Sequence, residues 1–161
     1  MKKQRKTNFL QIRVTPNEKA IIERQAEARN QGVSQWILSQ LIAKPLREFE
    51  DLMTSLENSG EVLSQRLIFA AVHDFLMNLG AGNFSRVFEN NPLSKLDSEK
   101  ANVVAAMIET FAHQKNLTPP SWLAAIAPLA KPKFFTQLES LRTYSLIHSP
   151  PIFRRRNLFV D

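Results

Sequence analysis

TNFLQIRVTPNEKAIIERQAEARNQGVSQWILSQLI, residues 7–42, is the stretch that decides the fold. It opens on an alternating run. Leu10, Ile12 and Val14 fall on one face of an extended strand, and Phe9, Gln11 and Arg13 on the other. Thr15, Pro16 and Glu18 then supply a helix N-cap, a proline at the first helical position and an acid three residues past the cap. The helix this predicts carries Ile21, Ile22 and Ala26 and ends near Gly32. Ser34 is expected to cap a second helix holding Trp36, Ile37, Leu38, Leu41 and Ile42, with Pro45 just beyond its end.

One strand of about seven residues leaves both its edges unpaired, and two short helices bury little surface. The economical solution is a second copy of the chain. The strands then pair antiparallel and four helices close one core. Strand, capping box and Gly32-Val33-Ser34 turn, in that order, resemble the ribbon-helix-helix family of DNA-binding proteins. The resemblance covers roughly the first quarter of the chain. It implies an obligate homodimer on a pseudo-palindromic operator, with the paired strands in the major groove of double-stranded DNA. It puts Phe9, Gln11 and Arg13 against the bases and the start of the second helix, Val33, Ser34 and Gln35, against the phosphates. Arg13 suits guanine and Gln11 adenine, each through two hydrogen bonds, and Phe9 a thymine methyl. Leu10, Ile12, Val14, Ile22, Trp36, Ile37 and Leu41 are then the expected dimer core.

Charge follows the same division. Residues 1–47 carry ten Lys/Arg against three Glu, residues 48–119 five basic against ten acidic, and residues 120–161 six against two. The net +6 is thus concentrated in the first part, as attraction to phosphate requires. Lys2, Lys3, Arg5 and Lys6 make a basic arm suited to sequence-independent, salt-sensitive phosphate contact.

The chain has 161 residues, 43% of them hydrophobic, enough to bury a core. Its lack of cysteine excludes disulfides and thiolate chemistry and suits a reducing cytoplasm. No apolar run approaches the roughly 20 residues of a membrane helix. Three regions are expected: an arm over 1–7, the dimerising module over 8–45 and an α-helical domain over 46–161, a mainly α fold in total. In that last domain the pattern predicts helices over 46–58, 61–79, 83–91, 97–115, 120–129 and 134–148, with a turn at Gly80-Ala81-Gly82. The most apolar of them, over 61–79, is expected at the centre of the core. Ser149-Pro150-Pro151 ends the last helix, and an extended, apolar end follows. The segments PPSWL, PKFF and SPPIFRRRNLFV resemble the C-terminal part of small uncharacterised bacterial proteins.

Chemistry is sparse. His73, His113 and His148 each stand alone in their segments, without metal-ligand spacing, and no glycine-rich phosphate loop is present. No metal or cofactor is expected. Arg66 and His73, seven residues apart on one helix face, resemble the signature of the helical HEPN ribonucleases, in which the Arg stabilises phosphate and the His handles a proton. A snorkelling Arg and an ordinary His account for the same spacing, and the chain is expected not to be an enzyme. Arg154-Arg155-Arg156 is either a solvated run, a contact to flanking DNA, or a partner for acidic groups of the middle segment or of another protein. The expected function is sequence-specific repression, autoregulatory, by an antitoxin whose residues 46–161 bind a cognate toxin. The alternative is a regulator whose helical domain binds a ligand or oligomerises.

Overall fold

A computed structural model describes residues 11–136 and 138–160, with the side chains of 41–43 left aside. The protein is mainly α: α1 Pro16–Glu27, α2 Val33–Glu57, α3 Val62–Asn78, α4 Ala81–Val87, α5 Ser98–Gln114, α6 Arg142–His148 and α7 Pro151–Arg155. Short 3-10 turns cover Ser121–Ala125 and Glu139–Leu141. Two short strands, β1 Lys133–Phe134 and β2 Leu158–Phe159, pair in parallel, Lys133 against Leu158 and Phe134 against Phe159. The chain divides into two compact units, Met1–Ile42 and Ala43–Asp161.

The largest departure from the sequence pattern is α2. Two helices separated at Pro45 were expected, with a domain boundary after it. One helix runs from Val33 to Glu57 with Pro45 inside it, and the division between units falls at 42/43. An interior proline removes one hydrogen bond and crowds the carbonyl four residues back, costing about 3 kcal/mol. Burial of Phe49, Met53 and Leu56 along the following turns offsets that cost.

The second unit is built around α5. Ala101, Val104, Ala105, Ile108, Phe111 and Ala112 are all buried along it. Asp97 caps its start, accepting from the Lys100 amide at 2.9 Å. Helix α3 starts and stops where its pattern places it, but only Val72, Phe75 and Leu76 are buried; α5, with its run of small residues, holds the centre instead. Around it sits a chain of aromatic rings. Phe49 and Phe88 meet edge to face at 5.0 Å, Phe88 and Phe84 at 5.0 Å, and Phe84 and Phe111 at 5.7 Å, the offset and tilted geometries that ring quadrupoles favour.

Residues 81–91 and 120–148 also depart from expectation. The turn expected at Gly80-Ala81-Gly82 lies at the start of α4, which ends at Val87 rather than Asn91. The helix expected over 134–148 forms only from Arg142; Lys133 and Phe134 are extended because β2 offers them a ladder. Pro151 begins α7, since a proline at N1 lacks only an amide hydrogen the helix does not use. The C-terminal end is extended and apolar as expected, with Leu158 and Phe159 buried.

Arg156 joins these pieces. It is 5% exposed. Its guanidinium donates to both carboxylate oxygens of Glu109, at 2.7 and 3.4 Å, to Asn102 Oδ1 at 3.1 Å and to the Leu123 carbonyl at 3.1 Å. Asn102, fully buried, donates in turn to the Ser98 and Ala127 carbonyls. The third arginine of the basic run is therefore a partner for an acid of the middle segment, while Arg154 and Arg155 stay exposed.

Candidate nucleic-acid interface

The first unit is assembled around the start of α1. Thr15 is extended, with φ −71° and ψ 160°. Its amide and hydroxyl donate to Glu18 Oε2 at 2.8 and 2.9 Å, and its Oγ1 accepts from the Glu18 amide at 3.4 Å. This is the reciprocal capping box that the sequence predicts. The Thr15 amide, and secondarily its hydroxyl, hold the Glu18 carboxyl below its ordinary value. Pro16 at N1 completes the start.

Asn30, not Gly32, performs the backbone reversal after α1. Its φ is 50°. The Gln31 amide donates to the Ala26 carbonyl at 3.0 Å and the Asn30 amide to Glu27 at 2.9 Å, the paired bonds of a Schellman ending with Asn at the left-handed position. Gly32 then takes the N-cap place of α2, its carbonyl accepting from the Trp36 amide at 2.9 Å. Ser34 is consequently the second helical residue rather than the cap. Val33, Ser34 and Gln35 occupy the exposed first turn of α2, where amides have no partner within the helix.

Residues 11–14 are exposed on both alternating faces. Gln11 and Arg13, on the side expected to meet bases, are open. So are Ile12 and Val14, at 55% and 43%. No ladder is formed by residues 11–15 within the single chain. Ile22, Trp36 and Ile37 are half-buried. Phe9, Leu10, Lys2, Lys3, Arg5 and Lys6 lie outside the described residues, as does the side chain of Leu41. Among the described residues of this unit, Ala26 is the one buried hydrophobic side chain, and Ile21, Val33 and Leu38 are exposed as well. Gln31 Oε1 and Trp36 Nε1 are shielded from solvent without a hydrogen-bond partner among the described residues.

In the second unit, Arg66 and His73 are both exposed on α3. Arg66 Nη2 donates to the Phe135 carbonyl at 3.3 Å, and His73 Nδ1 lies 3.5 Å from Asp74 Oδ1. His73 also borders a groove of about 110 Å³ with Met77, Met107, Thr110 and Phe153. Among the described residues no group of three or more His, Cys, Asp or Glu is placed to hold a metal ion, and no helix is long and apolar enough to cross a membrane.

The exposed segment, capped helix and second helix of this unit fall within one family match. Residues 4–63 match the NikA-like family, described as mobilization protein NikA. The matched span runs past Pro45 and includes the whole of α2. No curated protein and no solved structure matches the chain.

Proposed function

We propose that this protein is a DNA-binding component of a mobilization system, acting through a ribbon-helix-helix dimer formed by residues 1–42. The family match over 4–63 carries the reading. Mobilization is the movement of DNA, and the matched span takes in most of the basic stretch, residues 1–47. The first unit supports the dimer. Ile12 and Val14 stand in solvent beside a capped helix, and an unsatisfied buried polar group costs about 1–3 kcal/mol. A second copy would pair antiparallel along residues 9–14, and the helices of both copies would cover the apolar side of the two strands. Gln11 and Arg13 would then face the major groove, the first turns of α2 would meet phosphates, and the basic arm would add salt-sensitive affinity.

The same grip would repress transcription where the target lies in the chain's own promoter. The antitoxin expectation and its toxin partner gain no support from a family described by mobilization. We assign no catalysis to Arg66 and His73.

Gel retardation against DNA from the chain's own locus, with random-sequence DNA as competitor, tests the reading. Retention of one site under excess competitor is expected, together with a light-scattering mass of two chains. A monomer at micromolar concentration, or retardation that random DNA abolishes equally, would overturn it.

A further inference from the structure

Helix α3 offers solvent a face that its own pattern would bury. Leu63 and Leu67 are 69% and 65% exposed, Met77 is 47% exposed, and Ala70 between them is exposed too. At 3.6 residues per turn, Leu63 and Met77 lie about 20° to either side of the direction of Ala70, and Arg66 and Asp74 about 40° to either side. The face is thus centred on Ala70, along the helix as well as around it. Leu63 and Met77 stand seven residues before and after it, Arg66 and Asp74 four before and after.

We infer that this face of α3 pairs with the same face of a second copy, antiparallel, about a two-fold axis at Ala70. Charge and size choose the occupant. An isologous contact requires a surface complementary to itself under a two-fold rotation. Such a rotation brings Leu63 to the level of the second copy's Met77, Arg66 to the level of its Asp74 and Leu67 to the level of its His73, so one apolar pair and one pair of opposite charges meet across the seam. Ala70, the smallest side chain of the set, meets its own copy at the axis, where close approach is needed. A parallel pairing would instead set Arg66 against Arg66 and Asp74 against Asp74. Arg66 keeps its bond to the Phe135 carbonyl at 3.3 Å, which holds the side chain in place for the contact. The contact uses no residue of the first unit, so it does not rest on the ribbon; it would link DNA-bound dimers to one another or join the two copies of one dimer a second time.

The absence of cysteine makes the test direct. Ala70→Cys in the full chain is expected to form a disulfide-linked pair under mild oxidation, faster by tenfold or more than Glu50→Cys, which is exposed on α2. Adding Leu67→Asp should slow the link to the control rate with the far-UV circular dichroism unchanged. Arg66→Asp should slow it as well, and Arg66→Asp with Asp74→Arg should restore it. The same comparison in Ile12→Asp with Val14→Asp, which opposes strand pairing, separates the two contacts: the Ala70 link should persist there. A link at Ala70 no faster than the control, or one indifferent to Leu67→Asp, overturns the inference. So does recovery of the face occupied by a different protein that excludes the second copy.

Discussion

Single side chains decide more of this fold than their types suggest. Asn30, Asn116 and Asn157 all adopt positive φ, at 50°, 53° and 59°, and the first two close helices with the same pair of reversed bonds. Asparagine tolerates that conformation, but glycine adopts it without strain. Asn30→Gly is expected to stabilise by a few tenths to about 1 kcal/mol, and Asn30→Ala to destabilise by about 1 kcal/mol, both read from urea midpoints. Arg156 is the stronger case. Removing one member of a buried, hydrogen-bonded ion pair costs about 3–5 kcal/mol, since the other charge stays behind. Arg156→Ala should lower the unfolding midpoint by that amount, while Arg155→Ala, at an exposed position, should change it little. Three arginines in a row gave no sign of this difference. The partners that bury the third, Glu109 and Asn102, lie 47 and 54 residues away.

Elements were legible where their causes are local. The capping box of α1 and the Asp97 cap of α5 follow from side chains within a turn of the helix start they set, and α3 runs between Gly60 and Gly80 with no side-chain cap at its start. The box has its own pH signature. The Glu18 carboxyl is held below its ordinary value by the Thr15 amide and hydroxyl. A depressed folded value means the contribution is complete above the unfolded value and is lost as pH falls through the folded one. Helicity lost on acidification should therefore diminish in Glu18→Gln, as followed by far-UV circular dichroism; an unchanged titration would remove this role. Where the cause is distant, local rules misled. Pro45 reads as a stop, yet α2 passes through it because Phe49, Met53 and Leu56 secure the turns beyond. Pro45→Ala is expected to raise the melting temperature, by an amount corresponding to as much as about 3 kcal/mol. β1 was invisible for a similar reason: its partner β2 begins 25 residues further along, at Leu158 opposite Lys133.

At the scale of the whole molecule, two units with different chemistry share one chain. The second closes its own aromatic core; the first leaves Ile12, Val14 and Ile21 in solvent. The proposed dimer makes separable predictions for DNA. Arg13→Ala should cost roughly 1–3 kcal/mol on the specific site and relax preference there. Deletion of residues 1–6 should weaken binding to all sequences alike and flatten the salt dependence. Binding isotherms at several salt concentrations distinguish the two; an arm deletion that erased only site preference would contradict the role given to the arm. The capping box of the candidate interface was readable, because capping is short-range, whereas the alternation over 9–14 meets no ladder among the described residues. That α1 turns on Asn30 and α2 starts at Val33 was not readable, since both depend on hydrogen bonds across the turn.

The bond between Glu109 and Arg156 also sets an order of events at the ribosome. At roughly 5–20 residues per second of synthesis, the acid waits several seconds for a base made 47 residues later. Until then α5 has a buried position without its counter-charge, and β1 has no strand to lie against. The first unit, long since emerged, is free to meet a sister chain in that interval. A chain cut short just before Arg156 should therefore have a leading portion that is formed and a trailing portion that is prey for proteases.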